Sequence, residues 1–85
     1  MRLDGNAAAG ALEEVLGFEV TRALATCASC GARGELGGSF AYMNAPGVVV
    51  RCASCEGVLV RVARGDGRVW VELSGCASLE VRPSP

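Results

Sequence analysis

Two cysteine pairs constrain this chain more than any other feature of its 85 residues. Cys27 and Cys30 form one C-x2-C unit, Cys52 and Cys55 form a second, and 21 residues lie between them. The units also make a short internal repeat, Cys27-Ala28-Ser29-Cys30-Gly31 against Cys52-Ala53-Ser54-Cys55-Glu56-Gly57. Each pair can close a tight turn that presents two sulfurs to one ion. A glycine just after the second cysteine lets backbone amides approach the thiolate and hydrogen-bond to it. The gap slightly exceeds the spacing of about 15 to 20 residues usual for such sites, and a hairpin over residues 33–51 accounts for the excess. The pattern predicts one tetrahedral ion held by Cys27, Cys30, Cys52 and Cys55. Four thiolates suit zinc, and iron as the alternative.

Other uses of the cysteines fit less well. A thioredoxin-like redox pair needs a βαβ setting, which nothing here supplies. Disulfides compete only in an oxidising compartment, and the total of five cysteines leaves one unpaired. Four merely buried free thiols are the remaining alternative. The N-terminal stretch carries Asp4, Glu13 and Glu14 where a signal peptide needs an unbroken apolar run. The uncharged stretch 36–50 contains Pro46 and three glycines, which excludes a spanning helix. A cytoplasmic location is therefore expected, and with it a metal staple. A staple is also what a chain this small needs, because a domain of this size buries too little surface to be more than marginally stable. Cys76, the odd thiol, reads as a small buried residue near a sheet edge; a reactive role would need an electropositive setting.

The rest of the chain predicts a small α+β fold: an N-terminal helix plus an antiparallel sheet of zinc-ribbon type, in a single domain over 1–82 with a tail at 83–85. The helix is expected over about 4–17. Asp4 or Asn6 would cap it, Ala8, Ala11, Leu12, Val15 and Leu16 would form its apolar face, and Gly17 would end it. Strands are expected over 20–26, 39–43, 48–50, 58–63, 68–73 and 78–82. A proline–glycine turn at 44–47 and an Asp66-Gly67 hairpin turn separate them. In the 68–73 strand, Val69, Val71 and Leu73 would face the core and set Trp70 on the opposite side.

Several segments resemble a known family. The opening LDGNAAAGALEEVLG, the pair CASCG, the turn Ala45-Pro46-Gly47-Val48 followed by Arg51-Cys52-Ala53-Ser54-Cys55, and Val69-Trp70-Val71-Glu72-Leu73 are similar to domain of unknown function 6510, small bacterial zinc-ribbon proteins. The resemblance covers nearly the whole chain. It implies a ribbon fold and a four-cysteine site at the positions named. It also implies a setting beside a molybdenum oxidoreductase and a ferredoxin-reductase-like flavoprotein, hence a redox enzyme as partner. It brings no catalytic residues.

Composition narrows the function further. The chain has no histidine and no lysine, so the usual near-neutral acid–base and Schiff-base groups are missing. The glycines of residues 31–38 lack the Lys-Ser/Thr ending of a P-loop. A saturated four-thiolate ion has no open position for substrate. The expectation is a non-catalytic accessory or protein-interaction module. Its candidate contact residues are Trp70, Arg68 and Tyr42, because tryptophan beside arginine is enriched at interface hot spots. Two alternatives stay open. One is a rubredoxin-like iron electron carrier. The other is a nucleic-acid-binding zinc ribbon, using an arginine stripe of Arg51, Arg61, Arg64 and Arg68 with Trp70 to stack on a base. Against the latter, the formal charge is −1 and Glu56, Asp66 and Glu72 interrupt the stripe. A four-thiolate divalent site would add about −2 more.

Overall fold

A computed structural model describes residues 2–5, 9–16, 20–44 and 47–81. The elements in chain order are β1 (Arg2–Asp4), α1 (Ala9–Leu16), β2 (Leu24–Cys27), β3 (Arg33–Glu35), a 3-10 turn (Leu36–Gly38), β4 (Phe40–Asn44), β5 (Gly47–Arg51), β6 (Val58–Gly65), β7 (Arg68–Glu72) and β8 (Cys76–Glu80). The strands build two antiparallel sheets. One has five strands in the order β1-β4-β5-β6-β7, the other three in the order β3-β2-β8.

This architecture corrects the helix-led α+β expectation. The described chain is nearly all antiparallel sheet, and its one short α-helix spans eight residues rather than the stretch 4–17. Asp4, expected to cap the helix, lies in β1, where Arg2, Leu3 and Asp4 pair with Tyr42, Ala41 and Phe40. Pairing with β4 satisfies several backbone groups at once, whereas a cap satisfies one or two. Asn6, Ala8, Gly17, residues 45–46 of the expected turn and the 83–85 tail lie outside the described residues.

The segment between the cysteine pairs also departs from a single hairpin over 33–51. Its first part, β3, joins β2 in the small sheet, and only β4 and β5 form the hairpin. The 3-10 turn between them carries the chain from one sheet to the other, with Leu36 buried beneath it. Strand β2 likewise starts at Leu24. The preceding residues form a turn closed by the Ala23 amide on the Val20 carbonyl, and Val20 is buried as part of that turn.

Sheet register explains the core. Ala41, Val50 and Val60 align in one cross-strand row, and Val48, Val62 and Val71 in the next. The first five of these are buried, together with Leu12 of α1, Ala25 of β2, Leu36 and Leu59. Arg64, two residues beyond Val62 and therefore on the same face, reaches Glu14 of α1 at 3.2 Å, so α1 covers this side. The opposite side of the five-stranded sheet carries Tyr42, Val49, Arg61 and Glu72 in one row, with Ala63 and Trp70 beside it.

Strand β7 corrects a second expectation. Val69, Val71 and Leu73 do not form a core face; they are 46%, 39% and 37% exposed. Val69 and Val71 do lie on the inner side, since Val71 pairs with Val62, while Leu73 falls beyond the end of the strand. The cover of that side falls on β5 and β6, and β7 is the outermost strand.

Candidate metal centre

Each cysteine pair sits where a strand runs out into a turn. Cys27 ends β2, Ala28–Cys30 form the turn, and the Cys27 amide donates to the Ala32 carbonyl at 2.8 Å while the Gly31 amide donates back to the Cys27 carbonyl at 2.9 Å. The second pair follows β5 and repeats that geometry. The Cys52 amide donates to the Gly57 carbonyl at 2.8 Å, and the Glu56 amide donates to the Cys52 carbonyl at 2.9 Å. The sequence repeat is thus a structural repeat. Both turns place the residue after the second cysteine in the left-handed region, with φ of 79° at Gly31 and 63° at Glu56.

The two turns face one another. All four sulfurs lie within 4.8 Å of each other, with Cys27 Sγ to Cys55 Sγ and Cys30 Sγ to Cys52 Sγ both 3.7 Å. A tetrahedron of sulfurs about 2.3 Å from a central zinc has edges of about 3.8 Å, so the donor set and its spacing fit a four-coordinate ion. The first cysteine of each pair is buried and the second is exposed. The strand ends anchor the Cys27 and Cys52 sulfurs inside, and the turns bring Cys30 and Cys55 to them from the solvent side. Outer support comes from the backbone: the Ser54 amide donates to Cys52 Sγ and the Gly57 amide to Cys55 Sγ, each at 3.4 Å. Arg51 Nη1 donates to the Glu56 carbonyl at 3.0 Å and braces the second turn.

The electrostatics of the metal-free cluster follow from crowding. Amide hydrogen bonds from Cys30 and Ser29 pull the Cys27 thiol down to about 6, and the amide of Cys55 lowers Cys52 in the same way. At Cys55 the Gly57 amide pulls downward, but the sulfurs of Cys27, Cys30 and Cys52 and partial desolvation outweigh it and push the thiol up to about 11. Thiolates this close repel one another. A divalent cation at the centre would reverse that balance and hold all four ionised.

Cys76 stands outside the cluster. It pairs in register with Cys27 across β2 and β8, and its Sγ lies 3.5 Å from the Leu59 carbonyl. Burial, with the nearby Cys27 as a smaller cause, raises its pKa. A protonated, hydrogen-bonded thiol is chemically quiet. A cleft of about 170 Å³ opens beside Cys27 and Cys52. It is smaller than the roughly 300 to 1,000 Å³ of typical small-molecule sites.

The other sequence candidates lie away from the ion site. Trp70 is 51% exposed on the outer side of β7, with Arg68 on the same side of that strand. Tyr42 is half-buried three strands further in, under the Arg51 guanidinium at 5.6 Å from its ring centroid. The four arginines do not form one stripe. Arg64 is on the inner side, bound to Glu14, and Arg61 is held by Glu72 at 2.9 Å. Sequence reasoning missed the Arg33–Glu80 pair that joins β3 to β8, because its residues are 47 positions apart. Among the described residues, no helix is long and apolar enough to cross a membrane.

The family model DUF6510, described as a family of unknown function, matches residues 1–84. No curated protein and no solved structure matches the chain.

Proposed function

The chain belongs to this family of unknown function, and we propose from its own residues that it is a non-catalytic, zinc-stapled accessory or protein-interaction module acting in the cytoplasm. One observation carries the reading: four cysteine sulfurs gathered within 4.8 Å, two of their separations being 3.7 Å, close to the edge of a four-thiolate tetrahedron. Four thiolates fill the coordination sphere, which is the mark of a structural rather than a catalytic site. The chain's lack of histidine and lysine supports the same reading. Its contact surface would be the outer side of the five-stranded sheet, with Trp70, Arg68 and Tyr42. The partner proposed is a redox enzyme, of the molybdenum oxidoreductase or flavoprotein reductase type that the family resemblance implies. The dispersed arginines and the acidic balance disfavour a nucleic-acid partner.

Metal content and absorption of protein purified without a chelating tag test this reading. One zinc per chain and no visible colour are expected. Iron and a red protein would overturn it in favour of an electron carrier.

A further inference from the structure

Strand β7 reads Arg68-Val69-Trp70-Val71-Glu72, a segment that maps onto its own reverse with the charges exchanged. It ends the five-stranded sheet, and among the described residues no strand pairs with its far side. All five of its residues are exposed, including two valines on the inner side and Trp70 on the outer. Natural edges of this kind are usually blunted by charged side chains, proline or a bulge. This one carries its two charges only at its ends and with opposite signs, has no proline, and its pairing with β6 is regular from Arg61↔Glu72 to Gly65↔Arg68.

We propose that β7 pairs antiparallel with β7 of a second copy of this chain, joining two sheets into one of ten strands about a two-fold axis at Trp70. Centring the register there sets Arg68 opposite the partner's Glu72, Val69 opposite the partner's Val71, and the two tryptophans side by side at the axis. The charge pair and the valine pair each occur twice by symmetry, and the tryptophan pair, on the axis, once. The charges suit this arrangement. Arg68 has no ion-pair partner among the described residues, and Glu72 meets Arg61 through Oε2, leaving Oε1 for a second arginine. A shift of two residues would put Arg68 opposite the partner's Trp70 and lose the charge pairs, so the register is specified. The valines gain cover that their own chain does not supply. Both tryptophans remain on the outer surface, so the pairing does not depend on the accessory role proposed above.

Sedimentation of the metal-loaded chain tests the pairing with no other protein present. A dimer is expected. Arg68→Glu sets two acids opposite each other and Glu72→Arg sets two arginines opposite each other, so each variant alone should self-associate on the order of tenfold more weakly. An equal mixture of the two should form a heterodimer, and the double variant should regain most of the lost association, because both restore opposite charges across the seam while Glu72→Arg also loses the Arg61 ion pair. Metal content and circular dichroism show that each variant is folded. A wild-type monomer at the highest soluble concentration overturns the proposal. So does a dimer indifferent to both single changes, or single variants whose association neither mixing nor the double change restores.

Discussion

Glu56 occupies, in the second metal turn, the place that Gly31 holds in the first, and both adopt positive φ. A side chain in that region costs roughly 1 to 2 kcal/mol, which glycine avoids. Part of that gain is lost to the greater freedom of glycine in the unfolded chain. The Arg51 brace reaches the Glu56 carbonyl and needs no side chain. Glu56→Gly should therefore stabilise the metal-loaded protein by about 0.5 to 1 kcal/mol, read from the midpoint of denaturant unfolding with an unchanged slope. Unchanged or lower stability would mean that the glutamate side chain supports the turn. The repeat that exposes this mismatch is legible in the sequence. The backbone conformation that makes it matter is visible only once the turns are closed.

At the scale of elements, the short crossing from β7 to β8 is the tightest point. A Cβ built on Gly75 would stand 1.6 Å from the Val58 carbonyl oxygen and 2.9 Å from Leu59 Cα. The Gly75 carbonyl also accepts from the Ala28 amide at 2.9 Å, so the crossing pins the first metal turn against β6. Gly75→Ala must push one of these backbones away and should cost about 3 kcal/mol, measured by chemical unfolding of the metal-loaded protein. A loss below about 0.5 kcal/mol, as for an ordinary surface change, would show that the crossing is loose. Nothing in the sequence singles out this glycine among twelve. The Asp66-Gly67 turn is different. Its residues adopt φ of 51° and 70°, as expected of a tight hairpin, because that preference is local. Strands β1 and β3 were illegible for the opposite reason: three residues each carry no period, and their pairing partners are remote.

Over the whole molecule, an ion held by the four cysteines would make stability and metal binding one quantity. An ion in a four-thiolate site contributes roughly 10 to 16 kcal/mol, comparable to the entire stability of an ordinary domain. Acid should release it, and the sign follows from the thiols. Cys55, at about 11 without metal, must give up a proton at neutral pH when the ion binds. Binding therefore strengthens as pH rises, and apparent affinity should fall at least about tenfold per unit as pH drops from 8 to 6. Below about 6 Cys27 also takes up a proton and the slope steepens. Competition with a chelator across that range checks the slope, and circular dichroism should show folded structure lost with the metal. A flat profile would exclude thiolate ligation. The sequence by itself determined which four cysteines gather, the turns that carry them and the Asp66-Gly67 hairpin, because these rest on spacing and conformational preference over a few residues. Only the tertiary structure decided that residues 2–4 extend a sheet, that the inter-pair segment divides between two sheets and that the β7 valines lie open. Each of those outcomes is settled by which strand edge lies nearby, and edges are assembled from residues far apart in the chain.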